Sequence, residues 1–497
     1  MESSLLNSIS NSFFIHRFNV NGKRLMCDVN TCCVCEIDEV TSDIIEMAMN
    51  HNDDSEIEKI YEKYGKDSVI EALRELNELR DRGILSSFDP NKFDQPTHPN
   101  ITTICMNISH SCDLDCNYCY ADGGSYYQKE KMMDKNTAER SIDFLIEKSG
   151  EESSLSVSFF GGEPLLNFKI LKHTVEYAKT QGVLHNKKFQ FHVTTNGLHL
   201  DKEIQEFLNK EKFSIIISFD GPKRIHNNQR RYKNGESSYN DVMAKAIKFL
   251  KTRNPYGITI RGTFTGRSHK IGAMMMHPVK FGFRRISVEP CMLPFEHKYA
   301  IRIEDVPKIK KSYNEAAKIY LKNLSKGNLF EFFHFYSVMD GVYSPIPQFT
   351  QCGASRGYVG ISPTGDIYPC HGLVNIEGYK LGNVFNGDIN RNVQKEFHSA
   401  NVQGKEKCKK CWAKYFCGGG CHAHAIKYGD GIFEPYEVEC ELFKHRLELG
   451  MWIYTDLAKN QPELLEKLFN DGRKISKKIS DSTDCPESKS FEIKKKP

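Results

Sequence analysis

Three cysteines on one short loop are the residues of this sequence with the clearest chemical potential. In the stretch SCDLDCNYCY, three residues separate Cys112 from Cys116 and two separate Cys116 from Cys119. Three thiolates held this close can bind three irons of a 4Fe–4S cluster and leave the fourth iron without a protein ligand. An open iron can take a substrate or cofactor, as an open catalytic metal site does. The alternatives are a zinc site or buried structural thiols, because free cysteine packs readily in cores.

Short polar motifs follow later stretches that have the composition of buried strands. The first is GGEP at 161–164, in which the glycines let the backbone approach a ligand and the carboxylate can pair with an ammonium group. The second is TTNG at 194–197, which presents hydroxyl and amide groups. The third is SFDG, in which Ser218 and Asp220 can bind ribose hydroxyls. Each motif alone is usually a turn, but their order after the cysteine triplet indicates a nucleotide-containing cofactor.

A second set of cysteines occupies the later part of the chain. Cys352, Gly365 and Cys370 are spaced C-x12-G-x4-C, in a stretch that predicts a hairpin with its turn at 363–365. The others follow as C-x2-C-x5-C-x3-C with one more cysteine after them: Cys408, Cys411, Cys417, Cys421 and Cys440. Such spacing predicts metal ligation, with zinc as the alternative to iron–sulfur clusters.

The order of these motifs resembles that of radical S-adenosylmethionine (radical SAM) enzymes with a SPASM auxiliary-cluster domain. In that family one electron from the CxxxCxxC-bound cluster cleaves S-adenosylmethionine, and the 5′-deoxyadenosyl radical abstracts hydrogen from a substrate. The resemblance covers about residues 13–450, makes the loop cysteines catalytic, and puts Glu163 at the methionine amino group and Arg231 at its carboxylate. The cofactor-binding residues that it implies are Tyr118, Gly161, Gly162, Glu163, Pro164, Thr195, Asn196, Ser218, Asp220 and Arg231.

The same resemblance implies three 4Fe–4S clusters, of which one binds S-adenosylmethionine and two are auxiliary. One auxiliary cluster would be fully ligated by the following residues: Cys408, Cys411, Cys417 and Cys440. The other would be held by Cys352, Cys370 and Cys421, with one iron left without an assigned ligand. That iron is either open to the substrate or filled by Cys291 or water.

This sequence differs at two places from a related group of enzymes. These differences limit the type of reaction that we expect. Enzymes that oxidise sulfatases carry a further cysteine between the first two of this set, and residues 353–369 contain none. They also place an aspartate where this chain has His371, which we interpret as a group that orients the cluster. The stretch YPCHG instead resembles thioether-forming maturases of sactipeptides, ranthipeptides and other Cys-rich peptides. For that reaction an open iron can bind the substrate thiolate and accept an electron as sulfur meets a carbon radical.

An alternation of strands and helices must position the cluster loop. The predicted strands are 101–109, 155–160, 189–194, 213–219, 258–263 and 285–289. The predicted helices between and after them are 135–148, 168–181, 201–209, 239–252 and 305–322. Strict alternation predicts an α/β fold with a parallel sheet, here a partial (β/α)6 TIM barrel. Chemistry is then expected at the C-terminal ends of the strands, where every motif above falls.

The first 85 residues predict a separate small unit. A hairpin turning at Asn21 and Gly22, a third strand near 32–38 and helices at 39–49 and 54–82 resemble a winged-helix-like peptide-recognition domain. In that domain a leader peptide adds a strand to the open sheet edge, and a simple cap is the alternative. The cysteines of this unit are interpreted as structural, because alternation along a strand separates them: Cys27, Cys32, Cys33 and Cys35.

Six segments are predicted in total. They are a loose N-terminus (1–12), the leader-binding domain (13–85), a linker (86–99), the radical SAM partial barrel (100–325), the SPASM domain (326–450), and a terminal helix with a disordered tail (451–497).

Composition limits the class of protein, its location and its partners. The chain has 497 residues, 39% hydrophobic and 27% charged, which suits a globular protein with a sizeable core. It lacks both an apolar run of about 18 residues and a signal-peptide start, so we expect no membrane span and a cytoplasmic location. Seventeen cysteines without an export signal favour metal ligation over disulfides. A net charge of +4 is too small to indicate nucleic acid.

The sequence therefore predicts a peptide maturase that forms thioether crosslinks in a Cys-containing ribosomal precursor. The resemblance also implies a flavodoxin- or ferredoxin-type electron donor. Carbon–carbon crosslinking or oxidation of a peptide or protein residue is the enzymatic alternative. An iron–sulfur electron carrier is the non-enzymatic one, although a carrier has no need for the GGEP and SFDG motifs.

Overall fold

The computed structural model describes residues 14–50, 54–85 and 100–469. The predictions of a loose N-terminus, a linker at 86–99 and a disordered tail concern residues outside these ranges. Within them, no helix is long and apolar enough to cross a membrane.

An antiparallel three-stranded sheet begins the described chain. It consists of β1 (Ile15–Val20), β2 (Lys23–Asp28) and β3 (Val34–Glu36), in that spatial order. The turn between β1 and β2 has φ values of 51° at Asn21 and 81° at Gly22, as a tight primed turn requires. Three helices follow: α1 (Glu39–Met49), α2 (Asp54–Tyr64) and α3 (Lys66–Asp81). The helix predicted at 54–82 is divided at Gly65, which has φ of 82° between α2 and α3.

A ten-stranded mixed sheet forms the centre of the molecule, in the order β12-β11-β10-β8-β7-β6-β4-β13-β14-β15. Two short strands, β5 and β9, form a separate pair beside it. The strand bounds are β4 (Thr103–Ser109), β5 (Leu114–Cys116), β6 (Ser154–Gly161), β7 (Lys188–Thr195), β8 (Ser214–Ser218), β9 (Arg230–Tyr232), β10 (Ile258–Phe264), β11 (Arg285–Pro290), β12 (Glu331–Phe332), β13 (Tyr358–Ile361), β14 (Asp366–Tyr368) and β15 (Gly382–Asn383).

The α/β prediction is confirmed, and the sheet is larger than predicted. The six predicted strands lie side by side as β4, β6, β7, β8, β10 and β11, and each adjacent pair is parallel. Two more parallel strands extend this set, because β12 pairs with β11 and β13 pairs with β4. The strand β13 and its partner β14 are the predicted hairpin, so the later cysteine region continues the same sheet.

Helices cover the outside of the sheet. Side chains alternate along β8, where Ile215 and Ile217 are buried in the main core while Ser218 reaches the cavity on the opposite face. The helix bounds are α4 (Lys135–Lys148), α5 (Phe168–Leu184), α6 (Lys202–Lys210), α7 (Lys223–Gln229), α8 (Tyr239–Leu250), α9 (Ile271–Val279), α10 (Val306–Ser325), α11 (Phe333–Tyr343), α12 (Arg391–Ser399), α13 (Glu406–Lys409), α14 (Lys414–Cys417), α15 (His422–Tyr428) and α16 (Glu437–Asn460).

The long helix α16 links the parts of the molecule. It packs against α10, α11 and the N-terminal strands β1 and β3. Polar contacts support this packing, since Lys23 Nζ lies 2.8 Å from Asp456 Oδ1 and His16 Nε2 lies 3.0 Å from Glu448 Oε1. The N-terminal sheet is therefore fixed to the C-terminal part of the chain.

Candidate functional site

A cavity of about 410 Å³ opens at the C-terminal ends of the parallel strands. Its walls come from the loop after β4, the ends of β6, β7, β8, β10 and β11, and the helices α11, α15 and α16. The cysteines at 112, 116 and 119 line one side of it, and Cys370 and Cys421 line another. The cavity thus has cysteines from both predicted cluster regions in its walls.

The loop after β4 holds the CxxxCxxC cysteines through strand pairing. Its short strand β5 pairs antiparallel with β9, which puts Cys116 opposite Arg230. A turn follows, in which the Cys119 N–H donates to the Cys116 carbonyl at 2.9 Å. Burial raises the pKa of Cys112 and Cys116 to about 12. Buried thiols of this kind ionise when a cationic metal binds them, so the donors fit an iron–sulfur cluster.

Two glycines let the end of β6 touch this loop. A Cβ added at Gly161 would lie 2.2 Å from the Ser109 carbonyl oxygen, and one at Gly162 would lie 2.2 Å from that of Ser111. Gly161 also has φ of 134°, which other residues rarely adopt. Both positions therefore require glycine, and the GGEP backbone forms part of the cavity wall next to the cysteines.

The carboxylate of Glu163 accepts three hydrogen bonds from neighbouring residues. It accepts hydrogen bonds from the Leu165 N–H at 3.0 Å, the Thr195 hydroxyl at 2.8 Å and the Asn196 N–H at 2.6 Å. The residue is fully buried, and burial raises its pKa to about 7. Pro164 is buried beside it in a short 3-10 turn. Glu163 thus holds the GGEP turn to the TTNG loop, and Thr195 and Asn196 line the cavity.

The carboxylate of Asp220 is likewise engaged by protein donors. The Tyr118 hydroxyl lies 3.0 and 2.9 Å from its two oxygens, and Gln229 Nε2 donates to it at 2.8 Å. Arg230 donates from NH1 to the same Tyr118 hydroxyl at 2.8 Å. Tyr118, Arg230 and Ser218 line the cavity, so these three side chains are available to a cofactor.

Three cysteines assigned to the first auxiliary cluster lie together. The charges of Cys421 and Cys352 both act on Cys370, whose pKa is raised chiefly by burial. Cys352 is the exposed member of the group, and the charge of Cys421 acts on it. These donors fit a metal cluster for the same reason as those of the loop after β4, and they come from three separate parts of the chain.

Several polar side chains surround this first auxiliary site. His371 Nδ1 lies 2.6 Å from the Tyr358 hydroxyl, and burial lowers the His371 pKa to about 4. His424 Nδ1 lies 3.1 Å from Glu439 Oε2; burial would lower its pKa, but Glu439 and Cys421 hold it well above the usual value. The charges of Cys370 and Cys421 act on Lys427, which lies on the same helix α15. The site therefore has cationic groups on one side, which suits an anionic cluster.

The four cysteines assigned to the second auxiliary cluster also lie close together. Burial raises the pKa of Cys417 and Cys440 to about 12, and the charge of Cys408 acts on both. The charge of Cys411 acts on Cys408 and Cys440. The short helices α13 and α14 carry Cys408 and Cys417, Cys411 lies between these helices, and the first turn of α16 carries Cys440.

Two family models match the chain. Residues 106–264 match the model described as the Radical SAM superfamily, and residues 352–412 match the SPASM model, described as an iron–sulfur cluster-binding domain. The chain carries a radical SAM domain and a SPASM domain. These domains imply 4Fe–4S clusters and S-adenosylmethionine as cofactors, in agreement with the donor sets above.

Relatives of the radical SAM and SPASM regions include enzymes with named activities. The radical SAM cyclopropyl synthase TigE of Paramaledivibacter caminithermalis is 26% identical over 70% of this chain and 73% of its own length. A cysteine-type anaerobic sulfatase-maturating enzyme of Clostridium perfringens is 23% identical over 73% of this chain and 99% of its own. The solved structure "Native anSMEcpe with bound AdoMet and Kp18Cys peptide" has a TM-score of 0.59 at 21% identity, covering 73% and 100% of the two chains. This last likeness supports the fold.

One predicted contact of the radical SAM domain differs in the structure. Arg231 is exposed, and its guanidinium donates to the carbonyls of Asn227 and Gly235 at 2.9 and 3.1 Å. Arg230 faces the cavity instead. Successive residues of a strand point to opposite sides, and the pairing of β9 with β5 selects Arg230 for the inner side. Arg230 therefore replaces Arg231 as the candidate for the methionine carboxylate.

Sequence reasoning missed a polar group that supports the radical SAM cysteine loop. Asp113 Oδ1 accepts from Asn196 Nδ2 at 2.6 Å, and Asp113 Oδ2 lies 3.0 Å from His199 Nε2. Asn196 Nδ2 also lies 3.8 Å from the Cys112 sulfur. An acidic residue directly after the first motif cysteine was the available signal, but its partners lie more than 80 positions away.

The cysteines of the N-terminal sheet are near enough for the charges of Cys32, Cys33 and Cys35 to act on Cys27, but they pack in different clusters. Cys27 is buried in the core under α16, while Cys35 packs with the helices α1 to α3. Cys32 is buried in another cluster, beside Cys408 and Tyr415. In the described ranges, no three His, Cys, Asp or Glu side chains stand ready to hold a single metal ion.

Proposed function

We propose that this protein is a radical SAM peptide maturase that forms thioether crosslinks between a cysteine sulfur and a carbon of a ribosomal precursor. When bound, the cofactors supply a 5′-deoxyadenosyl radical for hydrogen abstraction and an auxiliary iron for the substrate thiolate. The observation that carries the proposal is the group of Cys352, Cys370 and Cys421, of which the last two line the cavity. The cysteine charges that act most strongly on Cys370 are those of Cys421 and Cys352, and the one that acts most strongly on Cys352 is that of Cys421.

The position of Cys291 supports an open ligand place in this group. Cys291 packs with Leu293, Tyr118 and Tyr120 at the cysteine loop of the radical SAM domain. The charges that act on it are those of Asp220 and Cys119, on the same side of the cavity. We therefore assign Cys291 to the wall of the cavity and leave the fourth ligand place to the substrate.

The proposal includes the predicted division of the chain. Residues 13–85 form a winged-helix-like leader-binding domain, 100–325 a six-unit partial barrel and 326–450 the SPASM domain. The open edge of the three-stranded sheet supports a leader-binding role, because an extended peptide can add a strand to such an edge. Within the described ranges, β1 and β3 each pair only with β2.

A peptide or protein substrate is supported by the named relatives. One relative is a sulfatase-maturating enzyme, and the matching solved structure of that type holds both AdoMet and a peptide. We also propose three 4Fe–4S clusters, a cytoplasmic location and a flavodoxin- or ferredoxin-type electron donor.

The open ligand position proposed at the first auxiliary cluster can be tested without catalytic turnover. A variant with Cys112, Cys116 and Cys119 changed to Ala would retain only the auxiliary clusters, and its reduced form is examined by electron paramagnetic resonance. We expect a Cys-containing precursor peptide to change the auxiliary spectrum and its Cys→Ser counterpart to leave it unchanged. Adding Cys291→Ala should preserve both the iron content and this response. An unchanged spectrum with the Cys peptide, or loss of a cluster in the Cys291 variant, would refute the open place.

A second candidate function is carbon–carbon bond formation or oxidation of a peptide residue. The observation in its favour is the similarity to the cyclopropyl synthase TigE and to sulfatase-maturating enzymes. This candidate has no use for a thiolate at the first auxiliary cluster, so the experiment above separates it from thioether formation.

A further inference from the structure

A single arginine in the middle of the barrel sheet faces the cavity. Along β10, Ile258, Ile260 and Phe264 are buried under the helices, whereas Arg261 and Thr263 line the cavity. Arg261 is exposed even though its strand lies between β8 and β11. Because these two strands cover both edges of β10, the exposed part of the Arg261 side chain faces the cavity.

The guanidinium of Arg261 is left without a hydrogen-bonding partner among the described residues. It makes neither a side-chain hydrogen bond nor an ion pair there, whereas Arg230 donates to Tyr118 and Arg446 lies 2.8 Å from His334 Nε2. The nearby carboxylate of Glu289 is engaged by His334 Nε2 at 3.1 Å and by the Ser287 hydroxyl. The charge of Arg261 acts on the Glu289 carboxylate, but no hydrogen bond within the described residues holds the guanidinium, so its N–H donors are available to a ligand.

Arg261 also lies between the two cluster regions. Its charge acts on Tyr120, next to Cys119, and on His371, next to Cys370. A peptide that lies in the cavity between the two regions passes this point. The guanidinium is consequently placed to contact the substrate.

We propose that Arg261 binds a side-chain carboxylate of the peptide substrate, from an Asp or Glu near the reacting residues. Guanidinium is always charged and presents a planar fork of donors that matches a carboxylate with two parallel hydrogen bonds. In the half-closed cavity such a pair is worth about 1.5–3 kcal/mol as a charged hydrogen bond, or roughly 10- to 100-fold in affinity. The inference rests on the proposed function only in taking the substrate to be a peptide.

The test uses synthetic peptides with one cysteine and one Asp, placed one to three residues to either side, each paired with an Asn peptide. Binding is measured by calorimetry on the reconstituted enzyme saturated with S-adenosylmethionine. At one position or more, we expect the Asp peptide to bind about 10-fold tighter or better than its Asn partner. Arg261→Gln should remove this preference, Arg261→Lys should keep part of it, and Arg267→Gln, on the loop after β10, should keep all of it.

Three results would overturn the inference. One is the absence of any Asp preference in the unmodified enzyme, including the absence of measurable binding. Another is an Asp preference that survives in Arg261→Gln. The third is a comparable loss of S-adenosylmethionine affinity in that variant, which would assign Arg261 to the cofactor. Failure of thioether formation is read from the product and leaves the affinity comparison unaffected, so the two proposals fail separately.

Discussion

Acidic residues of the cofactor motifs stabilise the protein around the cavity. Glu163 accepts from Thr195 and from backbone N–H groups, and Asp220 accepts from Tyr118 and Gln229. Both carboxylates are buried, and each ties one strand end to a neighbouring loop. We expect the cofactor to be contacted directly by backbone atoms of the glycine turn, hydroxyls and the Arg230 guanidinium, which line the cavity.

The two adjacent arginines give a matched test of this arrangement. Arg230→Gln removes the cavity-facing charge, so we expect S-adenosylmethionine to bind roughly 10- to 100-fold more weakly. Arg231→Gln changes an exposed side chain on the same strand and should leave the affinity within about twofold. Equilibrium dialysis on anaerobically reconstituted protein, with iron content checked for each variant, measures both. Equal losses in the two variants would show that the strand, and not the charge, matters.

The choice between these arginines marks a limit of sequence reasoning. Cysteine spacing identified the loop at 112–119 because its ligands are close in the chain. The orientation of Arg230 depends on pairing between β5 and β9, which brings it opposite Cys116 from more than 100 positions away. The sequence around Arg230 does not indicate a contact with so distant a residue. Arg261 was missed for a related reason, since one charged residue in an apolar strand has no motif.

At the scale of elements, the N-terminal sheet packs on the loop of the second auxiliary site. The His16 ring stacks on Trp412 with a centroid distance of 3.6 Å and an angle of 5° between the rings. Lys414 Nζ lies 5.2 Å from the centre of the Phe14 ring. Cys32 and Cys408 share a buried cluster nearby. The N-terminal sheet and the loop of the second auxiliary site are therefore in direct contact.

Removing the stacked ring should loosen the sheet. Such aromatic pairs contribute about 0.5–1.5 kcal/mol, so Trp412→Ala should speed amide hydrogen exchange in β1 and β2 roughly two- to tenfold. Phe385→Ala changes an aromatic residue that is 48% exposed and serves as the control. The comparison is made between samples of equal iron content. Unchanged exchange in β1 and β2 would mean that α16 alone holds the sheet.

The strands and helices themselves were largely predictable. The helix predicted at 135–148 has the bounds Lys135–Lys148, and the Asn21–Gly22 turn forms as expected. Hydrophobic periodicity and turn residues are local signals, so they suffice for such elements. The attachment of β13 to β4 was not predictable, because it joins stretches more than 250 positions apart.

At the scale of the whole molecule, that attachment makes the cluster regions parts of one continuous structure. The loop after β4 leads to the first cysteine group, and β13 and β14, beside β4, lead to Cys370. The cysteines at 408–417 follow on the side that contacts the N-terminal sheet. The cysteine loop after β4 and Cys370 are thus positioned by a single sheet.

Metal content tests this whole-molecule arrangement. Anaerobically reconstituted protein should hold about 12 irons, because three cubes of four irons match the motif cysteines. Changing Cys112, Cys116 and Cys119 to Ala should remove about four irons and abolish S-adenosylmethionine cleavage while the auxiliary clusters remain. Iron and sulfide assays with metal analysis measure this. Zinc in place of iron at the auxiliary sites would contradict the cluster assignment.

The most direct measurement of the central claim is the mass and thiol count of the product. The reduced holoenzyme is incubated with S-adenosylmethionine and a Cys-containing precursor, and the product is alkylated and examined by tandem mass spectrometry. Held near the carbon that loses hydrogen, the sulfur reacts in an effectively intramolecular step. We predict a loss of two hydrogens and of one alkylatable thiol for each crosslink. A product lighter by two hydrogens with every thiol still alkylatable would contradict thioether formation.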